Sequence, residues 1–397
     1  MTHPYAKAVL VAGAVAVFAG IGLGRFGYTM ILPAMQAGLD LTNTQTGLLA
    51  TANLAGYMVL SAAGGALASR YGPRLVVAVG LLVVGAGMVM TGFAKGLADA
   101  AVWRAVTGLG SGCVLVPTLT LMGAWFPKER RGLAAGVASS GQAVGLVLAG
   151  LLTPALIEWN GPDAWRLNWH LFGAAALVAA IAVFAIVRNR PREISARISP
   201  SESPIGWSSA YRSRRIWHLG VVYLTFGFSY IIYLTFFAKR LVADLKVSAE
   251  TAGDLFMVMG ICLVACSVFW GWASDRLGRK SALVMVYCLQ AAAMTILVLW
   301  ESLAGVTASA VVFGLSALAA PPVMAAECGD LLGPRLAPAA FGFMTLFFGV
   351  GQAVGPSVAG ALADATGDFR AAFLVAAGVV LAGGLMAALL PGRRSGG

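Results

Sequence analysis

Two arginines lie inside long apolar runs of this 397-residue chain, Arg25 within residues 8–36 and Arg104 within residues 98–124. A guanidinium at such a depth costs at least ~2.5–3.5 kcal/mol to insert into lipid, so by default it marks a functional site. Its rigid fork of donors grips a carboxylate at two points. Apart from Asp99 and Glu250 at the first residues of their runs, the candidate acids of the apolar runs are Asp254 and Glu327. Asp254 falls in the outer part of its run and Glu327 at the end of another, so neither shares the depth of Arg25. Positive charge without a carboxylate at its own level calls for an anion from outside the chain. The reading is a small organic anion, with a monocarboxylate favoured.

The neighbours of these arginines extend the candidate site. Arg25 lies three residues past the midpoint of its run, roughly 4–5 Å off centre at 1.5 Å per residue. Helical spacing puts Tyr28 and Thr29 on its face, together with Gly22. Arg104 lies about 10 Å off its own centre, where holding helices together competes with binding substrate. Asn53, Tyr57, Gln142 and Gln352 are further polar candidates, although the glutamines also suit hydrogen bonds between helices. Tyr223, Phe226, Tyr230, Tyr233 and Phe237 repeat at helical spacing. Such a stripe either packs or holds an apolar substrate body. Asp254 reads equally as an outer gate or protonation site and as an ordinary acid in the first turns of a helix after Ser248.

The elements that must position these residues follow from composition. Fifty-nine per cent of the chain is hydrophobic and 11% is charged, and the mean hydropathy is +0.84. A soluble domain carries about 25% charged residues, and the long non-alternating runs exclude a β-barrel. Twelve runs are long enough to cross a bilayer as helices. They cover 8–36, 45–68, 75–94, 98–124, 132–157, 168–188, 216–238, 249–273, 281–300, 304–326, 339–363 and 370–391. Of the 27 lysines and arginines, 19 fall on the side of the termini, six on the other and two within spans. That bias places both termini in the cytoplasm of a cell whose inner membrane holds the protein. It also accounts for the +11 net charge, with lipid as the neighbour and no nucleic acid required.

Residues 189–215 form the one long polar stretch and separate six spans, 1–188, from six, 216–397. The halves repeat one another. At an offset of 206, Gly47, Gly65, Arg70 and Gly72 match Gly253, Gly271, Arg276 and Gly278. Gly141-Gln142-Ala143-Val144-Gly145 recurs as Gly351-Gln352-Ala353-Val354-Gly355. Parallel repeats about an axis along the membrane normal are a transporter architecture, with substrate bound between the repeats near midplane. The expected fold is all-α, two six-helix bundles related by pseudosymmetry.

The loop after the eighth span, Gly271-Trp272-Ala273-Ser274-Asp275-Arg276-Leu277-Gly278-Arg279-Lys280, resembles the G-x-x-x-D-R-x-G-R-R motif of the major facilitator superfamily. Its first-half copy, Gly65 to Arg74, departs: Ser69 stands where the acid is expected and Pro73 where a basic residue is usual. Arg104, Gly108 and Gly110 resemble the family's R-x-x-x-G-x-G pattern. The fifth span lacks the Gly-Pro pair of the family's drug/proton antiporters, although Gly355-Pro356 occurs in the eleventh. The resemblance implies a secondary transporter working by alternating access. Arg70, Arg74, Asp275, Arg276 and Arg279 would latch the cytoplasmic side, Glu327 would join them, and the two halves would contribute unequally.

Proton symport of the anion is the expected activity. The alternative is a proton-driven drug or metabolite efflux antiporter, which the aromatic stripe favours. A membrane-embedded enzyme is disfavoured, since no nucleophile, base or metal set occurs within the spans. No cofactor is expected, and the protein is expected to be a monomer.

Overall fold

The structure, a computed structural model, describes residues 4–41, 43–161, 163–189 and 212–390. Most of the stretch between the halves, residues 190–211, lies outside the described residues. Without water in the bilayer core, backbone polar groups must be satisfied within the segment, so the apolar runs become helices. The helix α1 covers Pro4–Val17, continues through π-helical turns at Phe18–Phe26 and resumes at Gly27–Gly38. It is followed by α2 (Asn43–Tyr71), α3 (Pro73–Gly92), α4 (Leu97–Trp125), α5 (Arg131–Asn160) and α6 (Ala164–Ile186). The second half holds α7 (Arg214–Lys239), α8 (Ala249–Leu277), α9 (Arg279–Leu299), α10 (Leu303–Gly314), α11 (Ala320–Thr366) and α12 (Arg370–Ala388). Large apolar side chains such as Val178 and Ile181 remain exposed around the outside, where lipid would meet them.

The turns are written in the sequence. Gly72 and Gly278 both have φ 89°, a conformation that side chains resist, and each reverses the chain between consecutive helices. Pro73 follows at the first helical position, where its missing N–H costs nothing. The Ser248 hydroxyl accepts from the Thr251 amide to cap α8.

The tenth span corrects the sequence reading. Instead of one helix over 304–326, α10 stops at Gly314 and helix resumes at Ala320. Pro321 and Pro322 supply no N–H and fit only a first helical turn, so the helix must restart there. The break stays inside the protein because α8 satisfies its carbonyls. Trp270 Nε1 donates to the Leu315 carbonyl at 2.8 Å, and Ser267 Oγ donates to that of Leu318 at 3.0 Å. The run then passes from the tenth span to the eleventh at Gly333, where φ 72° and ψ 170° interrupt the helix. Eleven described helices are therefore long and apolar enough to span, with Leu303–Gly314 shorter.

Packing repeats as the sequence does. The pairs α1–α5, α2–α4 and α3–α6 of the first half recur as α7–α11, α8–α10 and α9–α12 in the second. Across the halves, α5 lies on α8 and α2 on α11.

Candidate functional site

Between the halves lies a cavity of about 550 Å³, walled by α1, α2, α4 and α5 on one side and by α7, α8, Leu318 and α11 on the other. Its lining falls in the first half of α8, at Phe256 and Leu263, and in the later part of α7, from Tyr230 to Thr235. The cavity thus sits on the side of the bundle away from the Asp275 loop.

The shape of α1 sets the position of Arg25. In the π stretch the Gly27 amide bonds to the Gly22 carbonyl, one residue further back than in an α-helix. Side chains of α4 take up carbonyls of this stretch. Ser111 Oγ donates to the Gly20 carbonyl at 2.7 Å, and Arg104 Nη1 donates to that of Gly24 at 2.8 Å. Glycine lets α5 press against the same stretch, since a Cβ placed on Gly22 would lie 2.8 Å from Gly145 Cα.

Arg25 projects into the cavity, and its Nη2 donates to Gln352 Oε1 of the other half at 2.7 Å. Its guanidinium carbon stands 5.2 Å from the centre of the Tyr57 ring and 5.8 Å from that of Phe26. Among the described residues, no carboxylate is ion-paired with Arg25 or with Arg104. Arg104 also reaches the cavity but is more firmly held: it is buried, with the rings of Tyr28 and Trp169 at 4.6 and 5.1 Å. Asn53 Nδ2 donates to the Arg104 carbonyl at 3.0 Å.

The sequence candidates divide accordingly. Arg25, Tyr28, Thr29, Asn53, Arg104, Gln142, Tyr230 and Gln352 all line the cavity. Gln142 and Gln352, equivalent in the repeat, differ in partner, because Gln142 donates to Ser139 Oγ on its own helix. Tyr57 is buried beneath Arg25 without lining the cavity. Three aromatics proposed for substrate are instead packing. Tyr223 stacks on Phe348 with ring centres 4.4 Å apart, and Phe226 packs on Tyr287 at 5.4 Å. Tyr233 stacks on Phe313 at 3.7 Å and shares a 2.6 Å hydrogen bond with Ser309. Helical spacing puts these rings on one stripe, but neighbouring helices cover all of it except Tyr230.

At the opposite end the Asp275 loop crosses the halves. Asp275 accepts from the amides of Gly132 and Leu133 at 2.8 and 2.7 Å, meeting the positive end of α5, and pairs with Arg279 at 2.5 Å. Asp330, which sequence reasoning missed, pairs with both Arg279 at 3.2 Å and Arg131 at 3.1 Å. Close backbone contact accompanies the charges, since a Cβ on Gly136 would lie 2.1 Å from the Ser267 carbonyl.

Other expected latch residues do not join this cluster. Arg276 stacks on Trp272 and Arg70 on Tyr71. Arg74 donates to the Phe184 carbonyl and fastens α3 to the end of α6 within one half. Glu327 pairs with Arg215 at 2.8 Å, because its place on α11 faces the start of α7. The first-half copy of the motif meets α11 by close packing, Gly65 against the Pro338 carbonyl, and Ser69 bonds back to Gly65. Asp254 is exposed in the second turn of α8 and does not line the cavity.

This architecture of repeated helix pairs closing one end over a central cavity is that of a membrane transporter. Residues 17–388 match the sequence profile of the family described as "Uncharacterised MFS-type transporter YbfB". The chain belongs to that family, within the major facilitator superfamily; it is a multi-pass membrane transporter and not an enzyme. It is 25% identical over 381 residues to the hexuronate transporter of Bacillus subtilis, covering 90% of this chain and 88% of that protein. It is 27% identical over 387 residues to monocarboxylate transporter 11 of Homo sapiens, covering 91% and 78%. The solved structure of the human organic anion transporter MFSD10 superposes with a TM-score of 0.79 at 15% identity, covering 97% of this chain and all of that one.

Proposed function

We propose that this chain moves a small organic anion, a monocarboxylate first, by alternating access coupled to proton symport. The observation that supports it is Arg25, a cavity-lining cation met by a neutral amide from the opposite half. A carboxylate entering there adds ionic attraction to a bond that Gln352 makes as a neutral acceptor, and its two oxygens suit the two-point grip of the guanidinium fork. The relatives named for hexuronate and monocarboxylate agree with an anionic cargo.

The moving bodies in this reading are residues 1–188 and 216–397, joined by 189–215. The arginine bias puts the Asp275 loop in the cytoplasm, so the latch shuts the cytoplasmic side and the cavity faces out. The protein is a monomer of the inner membrane. Among the described residues the cavity wall holds neither a carboxylate nor a histidine. A substrate carboxylate on Arg25 is held ionised by the guanidinium beside it, so it can take up the coupling proton only once it has left that contact.

Purified protein in liposomes tests this. Uptake of labelled monocarboxylates should saturate, show counterflow and rise with an inward proton gradient. Equal transport of the uncharged amides, or unchanged uptake by Arg25→Gln, would overturn the anion site. Gradient-driven extrusion of lipophilic dyes without carboxylate uptake would favour the efflux antiporter.

A further inference from the structure

The two walls of the cavity differ in kind. Both arginines, together with Asn53 and Gln142, come from the first half. The second half faces them with Ile231, Leu234, Phe256, Leu263 and Leu318. Its polar groups are fewer: buried Tyr230 and Gln352, and the exposed Thr235 and Ser357. Gln352 already bonds to Arg25.

Resting on the anion reading above, we infer that the substrate is an amphipathic carboxylate, with its head on Arg25 and a sizeable apolar or aromatic body against the second-half wall. Size supports this. About 550 Å³ falls within the ~300–1,000 Å³ of pockets that enclose drug-sized ligands, far more than a two- or three-carbon acid fills. Polarity supports it too. A polyhydroxylated acid would set more hydroxyls against Ile231, Leu234, Phe256, Leu263 and Leu318 than Tyr230, Thr235, Gln352 and Ser357 could pair, and unpaired polar groups are costly to bury. An apolar body instead displaces water from both surfaces. The arrangement also gives the ligand a mechanical role, since its charged end belongs to one half and its apolar end to the other.

The test is a binding series on the purified full-length protein. Straight-chain acids from acetate to octanoate, then benzoate, phenylacetate and 3-phenylpropionate, are compared with lactate, glycerate and gluconate and with the amides of the best binders. Affinity should rise about fourfold per added methylene until the cavity is full, the phenyl acids should lead the hydroxy acids at least tenfold, and the amides should bind at least tenfold less. Phe256→Ser should lower the ratio of 3-phenylpropionate to acetate affinity at least tenfold. Hydroxy acids equal to or tighter than the phenyl acids, or a flat chain-length series, would overturn the amphipathic assignment while leaving the anion site standing. Amides binding as tightly as their acids would overturn the anion site itself. The ligand series on the unaltered protein decides the matter even if the variant fails to fold.

Discussion

Gln352 on α11 accepts a 2.7 Å hydrogen bond from Arg25 on α1, so one half of the protein supplies a cavity cation and the other its neutral partner. Gln142 occupies the equivalent place in the first half and stays on its own helix, bonded to Ser139. The repeat is therefore broken beside the cavity, where equivalent glutamines take different partners.

Replacing the neutral partner tests the cation directly. Gln352→Glu puts a carboxylate against Arg25 and should weaken anion binding at least tenfold. Arg25→Gln should weaken it about ten- to a hundredfold, given about 1.5–3 kcal/mol for hydrogen bonds to a charged group. Equilibrium binding of a radiolabelled carboxylate measures both, and Gln352→Glu binding as tightly as the unaltered protein would refute the role of Arg25.

Asp330 joins two arginines from opposite halves, with side-chain exposure of only 2%. Asp330→Asn should open the latched end, since removing one partner of a buried ion pair costs about 3–5 kcal/mol. Spin labels at Glu129→Cys and Arg276→Cys, both exposed positions on opposite halves, should report a longer distance in the variant. An unchanged distance distribution would show that the cluster does not hold this end shut.

Steric closure gives an independent prediction. Gly136→Val places atoms where the Ser267 carbonyl sits and should drive α5 away from α8, lengthening the same distance. Gly360→Ala meets open space within 4 Å and should leave it unchanged.

Asp254 is exposed and outside the cavity lining. Asp254→Asn should change the proton dependence of uptake by less than twofold. Loss of gradient stimulation in this variant would restore Asp254 as a coupling group.

The spans, their repeat and the Asp275 loop were legible because each has a local signature: long apolar runs, recurring glycines, and a charged turn at Gly278. Arg25 was legible because charge inside an apolar run is expensive. Asp330 was not, since nothing in its local sequence shows that it meets arginines about 50 and 200 residues away. Glu327 was misassigned for the same reason: its position along the chain is near the latch, while its side chain faces Arg215. The aromatic stripe showed which residues share a helix face, but covering that face is the work of α9, α10 and α11. The break in the tenth span did have a signal in Pro321-Pro322, masked by the unbroken apolar run around it. The π turns of α1 depend on Ser111 and Arg104 of α4, which local spacing does not reveal.

Gly22 against Gly145 has a mechanical consequence. With no side chain between them, the backbones of α1 and α5 meet directly, and a side chain added at either glycine would prise the two helices apart. The helix α5 has 30 residues, about 45 Å at 1.5 Å per residue, and carries Arg131 and Gly132 at one end and Gln142 beside the cavity. In the proposed transport cycle, the helix that packs against the Arg25 stretch is thus the one whose far tip holds Asp275 and Asp330.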